Sequence, residues 1–231
     1  MTKKQYLNYY ALRLFFENQD KFRDFCGRKI MDDRTYGDLF YGTDSEIYVP
    51  LWASVAKTGE DVLLNHVTCD VVKFYKKYGY RAVNMDGNPA DFIGQQLRFA
   101  EYLTACGLSG SMAEEEAACA AAKFEEAFLT DMAHTVLTAL KKYGAPDFII
   151  DLLERIASGD YYDWASELFP GDPAGEDKLI EKSDFHMWKK QPEIPVEEPK
   201  KVSIASFCDC GNKCKTVSYT HLRAHETRHD L

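Results

Sequence analysis

"SMAEEEAACAAAKFEEAFLTDMAHTVLTALKKYGAP", residues 111–146, carries a long helical pattern that indicates the fold class. Its larger apolar side chains recur every four residues and therefore share one face of an α-helix. This stripe consists of Phe124, Phe128, Met132, Val136 and Leu140. Ser111 with Glu114 predicts a capping box at the start of the helix. Gly144, followed by Pro146, predicts its end.

Similar patterns lie on the N-terminal side of this stretch. Residues 6–15 have apolar side chains at helical spacing. Residues 58–79 repeat the pattern and end at a glycine. Thr58 with Asp61 predicts a capping box at the start of that second helix.

A further helix is predicted over residues 88–107, with Asn88 as its N-cap and Pro89 at its first helical position. The sequences "PDFIIDLLERI" at 146–156 and "DYYDWASELF" at 160–169 predict two more helices. No useful length of the chain alternates apolar and polar residues with a period of two. The sequence therefore predicts a single all-α domain over residues 1–169.

Composition and charge narrow the classes of partner. The chain has 231 residues, of which 45% are hydrophobic, and a net charge of −9. An acidic protein of this kind is a poor ligand for nucleic acid or an anionic membrane, and a good one for a basic peptide. No run approaches the ~18 apolar residues of a membrane span, and the start has no signal-peptide cleavage pattern. We therefore expect a cytoplasmic protein.

Beyond Phe169 the composition changes, and three further parts are predicted. Residues 170–201 contain a proline-rich and charged segment that is typical of a linker. Residues 202–215 form a cysteine-rich segment, and residues 216–231 end the chain. The last of these includes "VSYTHLRAHET", which resembles a translated sequencing adaptor, so we interpret 216–231 as an artefact.

The cysteine-rich segment offers an alternative function. Cys208, Cys210 and Cys214 lie within seven residues, and "CDCGNKC" resembles the iron–sulfur segment near the start of molybdopterin oxidoreductases. A cubane cluster requires four ligands, and zinc sites in proteins usually bring two separated ligand pairs. The alternative reading is therefore a redox component whose tail binds a metal or an iron–sulfur centre. The simpler reading is a tail with incidental thiols.

Motifs for catalysis are missing from the sequence. There is no GxxxxGK[ST] loop and no HExxH, and "GLSGS" at 107–111 does not match the nucleophile elbow. Three histidines of the helical region and its flank, His66, His134 and His186, lie far apart in the sequence. We predict that the chain is not an enzyme and that it has no cofactor. The alternative hypothesis is an enzyme whose active site is built from residues distant in sequence.

The order of several segments resembles the TorD/DmsD/NarJ family of redox-enzyme maturation chaperones. The stretches that carry this resemblance are "YGDLFYGTDSEIYVPLWASV" at 36–55, "FYKKYGY" at 74–80 and "NPADFIGQQLRFAEYL" at 88–103, followed by the long helix and by "YYDWASELF". Together they cover roughly residues 5–169.

The resemblance implies a cytoplasmic, all-helical chaperone without catalytic activity. Such proteins bind the twin-arginine signal peptide, and sometimes the body, of a molybdopterin-dependent oxidoreductase. They retain that enzyme until its cofactor has been inserted. The implied partners are thus the catalytic subunit and its signal peptide, and the implied oligomeric state is a monomer or a helix-exchanged homodimer.

The resemblance also implies a peptide-binding site made of two segments. The first maps to Pro50, Leu51 and Trp52, with Ser54 behind them, and the second maps to Pro89 and Asp91. The family histidine after that aspartate is Phe92 here, and a frequent glutamate is Gln96. Both replacements remove groups that could contact a cationic peptide.

Physical chemistry allows two interpretations of Trp52 and two of Asp91. An arginine side chain pairs with a carboxylate and stacks on an aromatic ring, so the two residues could receive a twin-arginine peptide together. Alternatively, Trp52 is a core residue that anchors a loop, and Asp91 complements the dipole of the helix predicted to begin at Asn88.

Overall fold

The computed structural model of the chain describes residues 1–27, 31–59, 63–82, 87–159 and 173–189. The α-helices in these ranges are α1 Lys3–Glu17, α2 Gln19–Cys26, α3 Asp33–Phe40, α4 Ala53–Thr58, α5 His66–Lys77, α6 Ile93–Ser109, α7 Glu114–Phe124, α8 Thr130–Tyr143, α9 Asp147–Ser158, α10 Pro173–Lys182 and α11 Phe185–Lys189. The same ranges contain no β-strand, only an isolated antiparallel bridge between Trp52 and Phe92. The predicted all-α fold is confirmed. No helix in the described ranges is long and apolar enough to cross a membrane.

Helix α6 lies at the centre of the core, packed against α1 and α7. Its residues are buried from Ile93 to Cys106, which leaves no solvent-facing side along most of its length. The ring of Phe99 on this helix lies 4.7 Å from the rings of both Tyr75 and Phe124, so an aromatic cluster joins α5, α6 and α7.

The long helix predicted from residues 111–146 is formed, but with a different start and an internal irregularity. Its N-cap is Ala113, because the hydroxyl of Ser111 instead donates to the carbonyl of Cys106 near the end of α6. A π-helical turn, Glu125–Leu129, separates α7 from α8. The predicted stripe is otherwise confirmed as core: Phe124, Met132, Val136 and Leu140 are fully buried, and Phe128 packs against them.

The predicted capping box at Thr58 is wrong. Thr58 is the last residue of α4, and Gly59 follows it in the left-handed conformation that ends helices, with φ of 67°. The next helix, α5, begins at His66, where the side chain of Asn65 accepts a hydrogen bond from the backbone N–H of Val67.

The predicted helix start at Asn88 and Pro89 is also wrong, because α6 begins at Ile93. The Pro89 carbonyl accepts a hydrogen bond from the backbone N–H of Phe92, which closes a turn before the helix. Ile93 donates its own N–H to the carbonyl of Leu51, so this stretch of backbone pairs with another segment before it becomes helical.

The C-terminal part of the described chain differs from the predicted linker. Residues 173–189 form α10 and α11, which pack on α1 and α6 respectively, and we call these residues the C-terminal strap. They belong to one compact unit with the helical body. The predicted helix at 160–169, the rest of the linker and Cys208, Cys210 and Cys214 lie outside the described residues.

Candidate functional site

The two predicted segments meet in the structure through backbone hydrogen bonds. Ala53 donates its N–H to the carbonyl of Asp91 at 3.0 Å, and Ile93 donates to the carbonyl of Leu51 at 2.9 Å. These bonds form the isolated antiparallel bridge between Trp52 and Phe92, whose rings lie 6.3 Å apart. Residues 40 positions apart in sequence are therefore held side by side, and we call this junction the Trp52–Phe92 bridge.

Asp91 stabilises the start of α4. Its Oδ2 atom accepts a hydrogen bond from the backbone N–H of Ser54 at 2.9 Å, and its side chain is fully buried. Trp52, the N-cap of α4, makes no side-chain capping bond. An unpaired N–H in the first turn of a helix needs an acceptor, and a carboxylate there also complements the helix dipole. Asp91 thus caps a helix from a neighbouring segment, not the helix that follows it in sequence.

The two departures from the family pattern are parts of this framework. Gln96 is fully buried, and its Nε2 atom donates to the backbone carbonyl of Asp91 at 2.7 Å. Phe92 is also buried, with 5% of its surface exposed. A further bond, from the hydroxyl of Tyr75 to the carbonyl of Ala90, fixes the same loop to α5.

Several buried polar atoms at the bridge have no hydrogen-bond partner among the described residues. They are the indole Nε1 of Trp52, the hydroxyl of Ser54, the Oδ1 of Asp91 and the Oε1 of Gln96. Buried polar atoms in native proteins are usually paired, and an unpaired one costs roughly 1–3 kcal/mol. All four atoms are closed to solvent, so they lower the stability of this junction.

The structure pairs the two segments that contain the six predicted site residues, but it exposes only half of these residues. Pro50, Trp52 and Pro89 are partly exposed. Leu51, Ser54 and Asp91 are buried, with exposed fractions of 1%, 0% and 0%. Gln96 was not predicted as part of the framework, since nothing in its sequence context indicates a bond to the backbone of Asp91.

A second polar cluster lies between α1 and α6. The guanidinium of Arg13 donates to Glu101 at 2.5 Å and to Glu17 at 2.7 Å, and Arg98 donates to Glu17 at 3.2 Å. Burial raises the pKa of Glu101 to about 7, while Arg13 and Arg98 oppose the rise. We call these four residues the buried charge cluster.

No metal site accompanies either cluster: the described part of the chain has no group of three or more His, Cys, Asp or Glu side chains that could hold an ion.

Comparison with known proteins gives one match. The profile of a family described as nitrate reductase delta subunit matches residues 33–136, which include both segments of the Trp52–Phe92 bridge. No curated protein and no solved structure is significantly similar to the chain.

Proposed function

Residues 33–136 belong to the nitrate reductase delta subunit family, a family of NarJ/TorD-type chaperones, and on that premise we propose that the chain binds the twin-arginine signal peptide of a molybdopterin-dependent oxidoreductase and assists its maturation. The family is one of chaperones and not of enzymes. A general role in the maturation of a nitrate-reductase-type molybdoenzyme follows from the family. The signal peptide as ligand, the apo body as a second ligand and a cytoplasmic site of action are our proposals.

The observation that carries the proposal is the Trp52–Phe92 bridge. It joins the two segments that the family resemblance assigns to peptide binding, and it leaves Trp52 partly exposed. Tryptophan that is partly exposed beside buried framework is a common anchor for a bound peptide. The exposed part of the indole ring can pack on apolar or guanidinium groups of a peptide.

We assign different roles to the exposed and the buried site residues. Pro50, Trp52 and Pro89 contact the peptide, because their side chains reach the surface. Asp91 acts as a positioning residue: it holds the start of α4, and α4 begins directly after Trp52. Leu51 and Ser54 are positioning residues in the same sense, since both are buried under the bridge.

Long-range charge favours a cationic peptide even though Asp91 is buried. The chain carries a net charge of −9. Asp44 and Glu46 are exposed in the loop that leads to Pro50 and can meet the arginine pair. Exposed charges of this kind mainly accelerate association, and their effect decreases with salt.

Calorimetric titration of the full chain tests the proposal. The titrant is the twin-arginine signal peptide of a molybdoenzyme encoded beside this gene, at two salt concentrations. We expect micromolar affinity that weakens with salt, and a loss of at least about tenfold in Trp52→Ala, as for a binding hot spot.

Phe25→Ala is the matched control, because Phe25 is also a half-buried aromatic residue but packs edge-on against Tyr10 of α1. It should bind the peptide like wild type. Unchanged peptide affinity in Trp52→Ala would show that Trp52 has a purely structural role. The absence of binding by the wild type, or equal binding of a peptide with both arginines replaced by alanine, would refute signal-peptide recognition.

A further inference from the structure

Leu64, in the turn before α5, has a strained backbone, with φ of 61°. Among the described residues it is the only one other than glycine with a positive φ. In this left-handed conformation the Cβ atom of an L-residue lies too close to the following carbonyl oxygen, so glycine or asparagine normally occupies such a position. A bulky residue there is an outlier, and backbone strain of this kind clusters at sites that bind ligands.

The side chain of Leu64 does not compensate for this strain through burial. It is 70% exposed, which is the largest exposed fraction among the large apolar side chains of the described residues. A leucine side chain stabilises the fold only as far as its surface leaves water. Asparagine at this position would therefore relieve the strain with little loss of packing. The stability of the folded chain alone gives no reason for a leucine here.

Leu64 belongs to a third segment, which meets the peptide site at Ser54. The Nδ2 atom of Asn65 donates to the carbonyl of Ser54 at 3.4 Å, and the N–H of Ser54 donates to Asp91. The Oδ1 atom of Asn65 accepts the N–H of Val67 at 2.9 Å and so caps α5. Asn65 is thus bonded to α4 and to α5, and these bonds fix the backbone of the strained residue before it.

Apolar side chains reach solvent on both sides of this contact. Trp52, Val55 and Ala56 lie within two residues of Ser54 and are partly exposed. Helix α4 has no charged side chain before Lys57. Solvent-exposed apolar surface therefore flanks Ser54 in its own segment, and the exposed side chain of Leu64 adds to it from the segment that Asn65 attaches.

A signal peptide has two parts that require different contacts. Its basic start is followed by an apolar stretch of about 7–15 residues. Carboxylates such as Asp44 and Glu46 suit the basic start, but the apolar stretch gains affinity only where it removes apolar protein surface from water. The exposed apolar side chains next to Ser54 have the chemistry that this second part requires.

We propose that Leu64 is a specificity-determining residue for the apolar stretch of the signal peptide, held in a strained and exposed position until the peptide covers it. This inference rests on the proposed function and adds a contact to the same site. Burial of Leu64 stabilises the complex and not the free chain, which is the usual trade-off between binding and stability. The contact favours peptides whose stretch is apolar over peptides with polar residues there.

The variants Leu64→Asn and Leu64→Met test the inference in the full chain. Asparagine is close to leucine in size and adopts the left-handed conformation readily, but it is polar, whereas methionine keeps an apolar side chain. We expect Leu64→Asn to unfold at a higher urea concentration than wild type and to bind the signal peptide at least about fivefold more weakly. Leu64→Met should bind within about twofold of wild type.

Met187→Gln is the matched control, because Met187 is another exposed apolar residue, at 41%, but lies on α11. It should bind the signal peptide like wild type. Equal weakening in Met187→Gln and Leu64→Asn would overturn the inference, since the effect would then not be specific to the position of Leu64.

A second peptide, with its arginine pair intact and serine in place of the apolar residues, identifies the part of the ligand that Leu64 contacts. This change should weaken binding to wild type more than binding to Leu64→Asn, because groups in contact are not additive. Equal losses in the two proteins, or unchanged affinity in Leu64→Asn, would overturn this inference and leave the proposed function in place. Weaker binding by Leu64→Asn with a lower urea midpoint would overturn it as well, since its role would be structural. If wild type did not bind the signal peptide at all, the proposed function would be refuted and this inference with it.

Discussion

At the scale of the residue, Asp91 shows how a charge expected at a ligand site can belong to the framework. Its carboxylate accepts the N–H of Ser54 and is closed to solvent. Asp91→Ala removes a helix cap and leaves a buried N–H unpaired, so we expect a loss of about 2 kcal/mol in the free energy of unfolding. Asp91→Asn keeps an oxygen acceptor and should lose less than about 1 kcal/mol. Urea unfolding of the three proteins measures both differences.

Peptide affinity in the same two variants separates the two roles of Asp91. If it is a positioning residue, Asp91→Asn binds the signal peptide nearly as well as wild type and Asp91→Ala binds more weakly. A variant Asp91→Asn with wild-type stability but greatly reduced affinity would instead make the buried carboxylate a direct partner of the peptide arginines.

The sequence predicted which residues meet at this site better than it predicted what they do. Trp52 lies beside Phe92, and Asp91 accepts from Ser54, so the two segments named by the family resemblance meet. Burial is a property of the assembled fold, so nothing in "NPADF" indicates that the aspartate faces inward while the proline reaches the surface. Whether these residues bind a peptide stays a prediction.

At the scale of the element, two helical glycines should respond oppositely to alanine. A Cβ atom at Gly94 of α6 would lie 2.7 Å from both Glu17 and Phe92, and Glu17 is held in the buried charge cluster. We expect Gly94→Ala to lower the free energy of unfolding by about 1–3 kcal/mol, as overpacking does. Gly37 of α3 has no atom within 4 Å of an added Cβ. Gly37→Ala should raise the free energy by roughly 0.5–1 kcal/mol, because alanine is the better helix former.

Thermal and urea unfolding of the two glycine variants, side by side, check this contrast. Since both substitutions add one methyl group inside a helix, their difference isolates the close approach of α1 to α6. Stabilisation by Gly94→Ala would show that Glu17 moves aside at little cost and that the charge cluster is not rigid.

Helices were easier to predict than their ends. The stripe from Phe124 to Leu140 has a period that only a helix satisfies. A helix start depends on which hydrogen bond a short polar side chain makes. The hydroxyl of Ser111 bonds to a carbonyl of α6 and does not cap the first turn of α7. The sequence did not predict the strap for a related reason. The nearby segment is proline-rich and charged, which is typical of a linker. Apolar residues such as Leu179 and Ile180 pack on the core only once α1 is in place.

At the scale of the whole molecule, the buried charge cluster connects the N-terminal helix, the central helix and the strap. Arg13 on α1 reaches Glu101 on α6 and Asp184 on the strap, and Glu17 joins Arg13 to Arg98. Replacing either member of such a buried pair leaves a charge without compensation. The loss of Arg13 would therefore affect α1, α6 and the strap together.

This cluster should make the stability of the whole domain depend on pH. The pKa of Glu101 rises from an ordinary 4.5 to about 7 on folding, mainly through burial, against the opposing charges of Arg13 and Arg98 and with Glu17 adding to the rise. Between these two values the unfolded state loses its proton while the folded state keeps it. Proton binding by Glu101 therefore stabilises the folded state fully below pH 4.5. This stabilisation is lost as the pH rises to about 7, by at most about 1.4 kcal/mol per pH unit.

Urea unfolding of wild type and Glu101→Gln between pH 5 and 8 isolates this titration. The glutamine keeps a carbonyl acceptor for Arg13 but binds no proton, and all other groups titrate in both proteins. We expect wild type to lose stability relative to the variant from pH 5 to 7, with a constant difference above that. A difference that does not change over the whole range would mean that Glu101 stays ionised in the fold, with the attraction of Arg13 and Arg98 outweighing its burial. In that case the cluster would hold the helices together as permanent ion pairs, and no stability would be gained on acidification through Glu101.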